Sequence, residues 1–213
     1  MGSSSSGLLL RLSDRANRMV RRVSRQRRQA FREPRLRLLL VCGGERTEPT
    51  YFRGLKRHVR NPAVEIRVKS KGRAPKELVE YARFIAPIGA DEFDEVWCVV
   101  DRDEFDLEAA VACAADLDVR LAVSNPCFEL WLLLHHEDCT AELGDAKSVL
   151  RRLARKVPAY QKNELRFADF EKGVHDAVRR AERLDPSGRD HRRDPSSGVW
   201  RLVHQMIEAK QIP

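Results

Sequence analysis

The chain has 213 residues, an ordinary 42% of hydrophobic residues and a formal net charge of +8, which is long enough for one sizeable domain with its own core. No apolar run approaches the roughly 18 residues that a bilayer span requires. Five cysteines (Cys42, Cys98, Cys113, Cys127 and Cys139) are widely spaced with no C-x-x-C pair, which argues against a disulfide framework and a zinc site.

Reduced cysteines buried as small hydrophobes are the plain reading, and a cytoplasmic protein is the default. The opening "MGSSSS" fits a loose myristoylation pattern, and the Arg-rich, Ser-rich start resembles a transit peptide, but both patterns are weak. Residues 1–37 hold eleven arginines and no lysine, against only Asp14 and Glu33. The positive charge therefore resides in an N-terminal arm (residues 1–34), and the remainder is close to neutral. Such an arm, densest at Arg21, Arg22, Arg25, Arg27 and Arg28, is suited to nucleic-acid phosphates or an acidic partner. The plainer reading is a solvated, partly helical arm.

After the arm, "LRLLLVC" (Leu36 to Cys42) is a short apolar run closed by glycines, as a buried strand would be. "TEPTYFRGLKRHV" reads as a helix with Thr47 as N-cap and Pro49 tolerated in the first turn. "VEIRVKS" alternates like a half-buried edge strand, and "KELVEYARFIA" is an amphipathic helix. "DEVWCVVD" is a second continuous apolar strand, "DLEAAVACAADL" a helix and "VRLAVS" a further strand. "NPCFELWLLLHHE" reads as a helix with Asn125 as N-cap and Pro126 at its first position. Beyond His136 the strand signals stop. Helices are expected at "ELGDAKSVLRRLARKV", "FADFEKGVHDAVRRAERL" and "VWRLVHQMIEA", with a polar loop at "DPSGRDHRRDPSSG". The alternation predicts an α/β fold: a doubly wound, mainly parallel four-stranded sheet with helices on both faces (residues 35–138), then a C-terminal helical extension packed on it (139–213).

Ligands of open parallel sheets gather at the carboxyl ends of the strands. There the first strand delivers Gly43, Gly44, Glu45 and Glu48, the third Asp101, Asp103 and Glu104, and the fourth Ser124, Asn125 and Glu129. Two carboxylates at Asp101-x-Asp103 repel unless a cation or proton intervenes, and all-oxygen ligands suit Mg²⁺ or Mn²⁺. The competing reading is a solvated turn in which Asp103 or Glu104 caps the next helix. Glu129 is either a third metal ligand or a helix-start charge. Glu48, on a first helical turn, also reads as a dipole-compensating charge. Gly43-Gly44 is not a nucleotide loop, because neither a Walker motif nor a dinucleotide fingerprint is present. No histidine is assigned a role.

"VCGGERTEPTYF", "DEVWCVVDRDE", "SNPCFELWLLLHHE", "YQK" and "DPSSGV" occur in that order, and together they resemble the RloB family from about Arg37 to the C-terminus. The resemblance implies a Toprim-like core, a place in bacterial restriction and anti-phage defence loci, and an ATPase encoded nearby. It implies that Asp101 and Asp103 hold Mg²⁺; Lys162 matches the family's Tyr-x-Lys block, where it either meets a phosphate or is a plain surface lysine. The family's usual run looks like Cys-Glu-Gly-Glu-x-Thr-Glu-Pro, so Gly43 stands where the Toprim glutamate is expected. Glu45, or second Glu48, is the candidate replacement for proton transfer. The expected function is a metal-dependent nuclease acting on DNA or RNA. The alternative is an inactive Toprim-like module that binds nucleic acid or the ATPase; under either reading a homo-oligomer is an option. A phosphatase with an aspartyl nucleophile fits less well, since Glu104-Phe105 follows Asp103.

Overall fold

The computed structural model describes residues 36–61, 64–70, 74–89, 92–102 and 107–208. Arg21, Arg22, Arg25, Arg27, Arg28, Asp103 and Glu104 lie outside them. Strands β1 (Leu36–Cys42), β2 (Val64–Ser70), β3 (Glu95–Asp101), β4 (Arg120–Asn125) and β5 (Ser196–Ser197) form one sheet in the order β2-β1-β3-β4-β5. The first four strands run parallel, and β5 is antiparallel to β4. Helices α1 (Thr47–Val59), α2 (Pro75–Ile85) and α3 (Leu107–Asp116) follow β1, β2 and β3. After β4 come α4 (Phe128–Leu134), α5 (Ala146–Lys156), α6 (Val174–Leu184) and α7 (Val199–Glu208). Among the described residues, no helix is long and apolar enough to cross a membrane.

The central strands are apolar on both faces because both faces are covered. Successive side chains of a strand point to opposite sides. Leu38, Leu40 and Cys42 of β1 therefore join Trp97 and Val99 of β3 in one apolar layer, under α1 and α4 to α7. Leu39 and Val41 join Val96, Cys98 and Val100 in the other, under α2 and α3. The start of β1 is tied to the start of β3 by Asp94, which accepts from the Arg37 backbone N–H at 2.7 Å and from its guanidinium at 3.0 Å. That guanidinium holds the Asp94 carboxyl below its ordinary range.

Several expectations are corrected. The sheet has five strands, not four. Ser196–Ser197 is too short and polar to carry a periodic signal, and it is recruited by pairing with Ser124 and Asn125, with the Ser124 and Ser197 hydroxyls 3.0 Å apart. Asn125 is not an N-cap. It ends β4, and its amide donates to the carbonyls of His191 (3.3 Å) and Arg193 (2.8 Å), so the helix begins only at Phe128 with Cys127 at the cap position. Thr47 is likewise the first residue of α1 rather than its cap, which is Arg46. The helix expected from Glu142 starts at Ala146, where the Asp145 side chain accepts from the Ser148 N–H at 2.7 Å. The one expected from Phe167 breaks into two 3₁₀ turns (Phe167–Asp169 and Glu171–Gly173) before α6.

Tyr51 of α1 sits at the middle of the larger apolar layer, in edge contact with Phe52, Phe128, Trp131, His135 and Phe167. Its hydroxyl lies 3.0 Å from His135 Nε2, and His135 Nδ1 lies 2.9 Å from the Trp131 carbonyl. A carbonyl only accepts, so Nδ1 carries the proton and Nε2 accepts from Tyr51. Burial pushes the His135 pKa down to about 3.

Between pH 6.5 and 3 the unfolded chain thus binds a proton at His135 that the folded chain refuses. This contribution is complete above pH 6.5 and is lost on acidification at about 1.4 kcal/mol per pH unit. Denaturant titrations at pH 7 and pH 5 should show the wild type losing roughly 2 kcal/mol more than His135→Gln. Equal losses in the two proteins would remove His135 as the cause.

Candidate functional site

The chain leaves β1 through α1 toward β2 on one side, and leaves β3 through α3 toward β4 on the other. The loops after these neighbouring strands therefore diverge, opening a crevice at their carboxyl ends, the usual ligand position in such sheets. An open cleft of about 530 Å³ lies there. Glu45, Asp101, Glu129 and Lys162, from four separate stretches of the sequence, line it together with Glu48.

The two glycines have different roles. Gly43 continues the ladder, its N–H donating to the Val99 carbonyl at 2.9 Å. A Cβ added there would meet nothing closer than that carbonyl oxygen at 3.4 Å, so the position tolerates a side chain. Gly44 does not. A Cβ on it would fall 2.0 Å from Glu48 Oε2, because the Glu48 carboxylate folds back onto the loop and accepts from the Gly44 N–H at 3.1 Å. The glycine after Gly43 thus makes room for the acid four residues on.

Glu48 is only 6% exposed. Burial first, then the charge of Glu129, push its carboxyl above the ordinary value; its hydrogen bond from Gly44 and the charge of Lys162 oppose this. Glu129 in the first turn of α4 is 1% exposed, accepts from the Tyr160 hydroxyl at 3.2 Å and has Lys162 Nζ at 3.6 Å. Asp101 ends β3 half-buried, whereas Glu45 stands exposed at the rim. Cys42 and Cys127 each stand one residue before a residue that lines the cleft, but burial raises both thiols, and the nearby carboxylates raise them further. Both remain protonated and are poor nucleophiles.

Two contributors escape a reading of the sequence. Tyr160 carries the hydroxyl that orients Glu129, and Thr47 donates its hydroxyl to the Lys162 carbonyl, fastening the Tyr160–Asn163 loop to the start of α1. Tyr160 lies two residues before Lys162 in the same short block. That proximity was the only available signal, since an irregular loop has no periodicity.

The donors lining the cleft are carboxylates, the oxygen ligands that hard divalent cations take. Two of them are buried close enough for one charge to disfavour the other, a cost that a cation relieves. In donor chemistry the cleft therefore fits Mg²⁺ or Mn²⁺. Among the described residues, no three such groups converge on a single point.

Because its folded-state carboxyl is raised, Glu48 favours the fold when protonated, and this advantage is lost as pH rises. Glu48→Gln keeps an acceptor for the Gly44 N–H and removes the charge. The variant should be more stable than wild type by about 1 kcal/mol near neutral pH, with the gain shrinking toward pH 4. Paired denaturant melts measure this; a gain that does not vary with pH would show that the charge is not its source.

No curated protein and no solved structure matches the chain. A family model described as RloB-like protein matches residues 38–206, a span that contains the whole cleft and most of the sheet and C-terminal helices. The chain belongs to the RloB-like protein family.

Proposed function

We propose that this RloB-like protein is a Toprim-fold, Mg²⁺- or Mn²⁺-dependent nuclease of bacterial anti-phage defence, working in the cytoplasm. The supporting observation is the gathering of Glu48, Asp101 and Glu129, with Lys162 beside them, in one cleft at the diverging strand ends. Asp101, Asp103 and Glu129 would hold the ion. A bound divalent ion supplies an activated water and stabilises charge on a phosphodiester. Glu45, exposed at the rim, is free to take the proton of that water. Glu48 is the second candidate, its carboxyl raised above the ordinary value by burial. Lys162 would contact a substrate phosphate, and the arginine arm would add sequence-independent affinity for the DNA or RNA backbone.

A second reading follows from Gly43. If neither Glu45 nor Glu48 replaces the glutamate of the Toprim pattern, the protein is a binding module for nucleic acid or for an ATPase encoded beside it. The space around Gly43 makes the two readings separable.

Labelled DNA and RNA incubated with Mg²⁺ or Mn²⁺ should be cut by the wild type, with at least a roughly hundredfold loss in Asp101→Asn. Cleavage unchanged in that variant would sink the site. Binding without cleavage in the wild type, with cleavage gained in Gly43→Glu, would establish the module reading.

Removing residues 1–34 should flatten the dependence of nucleic-acid affinity on salt concentration. A slope equal to that of the full chain would show that the arm makes no phosphate contacts.

A further inference from the structure

A second cavity, of about 450 Å³, shares no lining residue with the cleft. Its size falls within the roughly 300–1,000 Å³ of small-molecule sites. It lies along β4, whose outer edge is paired by β5 only at Ser124 and Asn125. Its floor is apolar, formed by Val111 and Ala114 of α3 with Val119, Leu121 and Val123. The facing wall is the polar loop that follows α6, together with Arg201 of α7.

Three guanidiniums border this cavity. Arg120 pairs with Glu95 at 2.9 Å, whereas Arg189 and Arg201 have no carboxylate partner among the described residues. Arg201 is half-buried, with its guanidinium 5.2 Å from the centre of the Trp97 ring. Burial, then the charges of Arg189 and Arg120, hold its pKa below the ordinary value, against weaker opposition from Asp185 and Glu95. A cation in that position lacks a counter-charge. The loop is nevertheless shaped to admit it. A Cβ on Gly188 would fall 2.3 Å from Arg201 Cδ, and the positive φ of 60° at that residue suits glycine. The Asp185 carboxylate, which could have neutralised the arginine, is taken up by its own loop. It accepts from the Ser187 N–H at 3.0 Å, the Ser187 hydroxyl at 2.6 Å and the Asp190 N–H at 2.7 Å.

We propose that this cavity binds a nucleoside monophosphate, with the phosphate on Arg201 and Arg189 and the base against the apolar floor. Two guanidiniums without partners match the double charge of a phosphomonoester, whose oxygens accept from their N–H forks. A carboxylate or a phosphodiester supplies only one charge. Trp97 covers a face of the Arg201 guanidinium, which leaves the N–H edge for the ligand. Val111, Ala114 and Val119 offer a base an apolar surface, and the exposed Asp118 and Asp190 at the border are acceptors for ribose hydroxyls. The site needs no divalent ion and uses no residue of the cleft, so it is independent of the nuclease reading.

Calorimetric titration of the full chain in EDTA with AMP, GMP, CMP and UMP should show binding of at least one. That nucleotide should bind roughly tenfold more tightly than ribose 5-phosphate or inorganic phosphate. Arg201→Met keeps an apolar stem over Trp97 and should weaken the binding roughly ten- to a hundredfold. Ala115→Phe, at an exposed position of α3 that lines the cavity, should abolish it by filling the space. Thermal melts without ligand establish that each variant is folded. Asp101→Asn, altered in the cleft, should bind the nucleotide as the wild type does. No binding of any of the four nucleotides overturns the inference, as does inorganic phosphate binding as tightly as the best of them. Affinity unchanged in both Arg201→Met and Ala115→Phe, or lost in Asp101→Asn, would place the nucleotide elsewhere and overturn the site.

Discussion

The mutual repulsion of two carboxylates, Glu48 and Glu129, held out of water on facing helix starts is the constraint around which this molecule is arranged. Glu48 is held against its own ionisation, since burial and the charge of Glu129 both oppose it. Their neighbours are selected to tolerate them: a glycine whose missing Cβ makes room, a tyrosine hydroxyl, and a lysine at the rim. Groups held against their own electrostatic preference mark functional sites more often than structural ones.

The sheet makes this arrangement affordable in space. Because crossovers from β1 and β3 depart in opposite directions, the strand ends present their loops to a crevice instead of to a helix. The helices that follow β1 and β4 then aim their first turns at the same crevice, which is how residues as distant in sequence as Glu48 and Glu129 meet. The C-terminal helices are part of the same construction. Their residues complete the larger apolar layer, and the loop between α5 and α6 supplies Tyr160 and Lys162.

Much of this was legible beforehand. Continuous apolar runs at Leu36–Cys42 and Asp94–Asp101 read as buried strands, and the acids at their ends followed from that placement. What stayed hidden depended on contacts distant in sequence. Asn125 has the chemistry of a helix cap and precedes a proline, but its amide is used by the carbonyls of His191 and Arg193, more than sixty residues on. Ser196–Ser197 became a strand only because β4 offered an edge. Glu48 looked like a charge placed for the helix dipole. Only the fold shows that it turns back onto Gly44 and away from water.

Tyr51 gives these facts a mechanical meaning. It stands on α1 one turn beyond Glu48, while His135, which accepts its hydroxyl, follows the last residue of α4, the helix whose first turn carries Glu129. The helices that carry the two acids are therefore also joined from below, by a neutral hydrogen bond inside a cluster of rings. An alteration deep in that aromatic layer would retune the jaw between the acids without touching either, so selection on the chemistry of this cleft also acts on residues that no ligand ever meets.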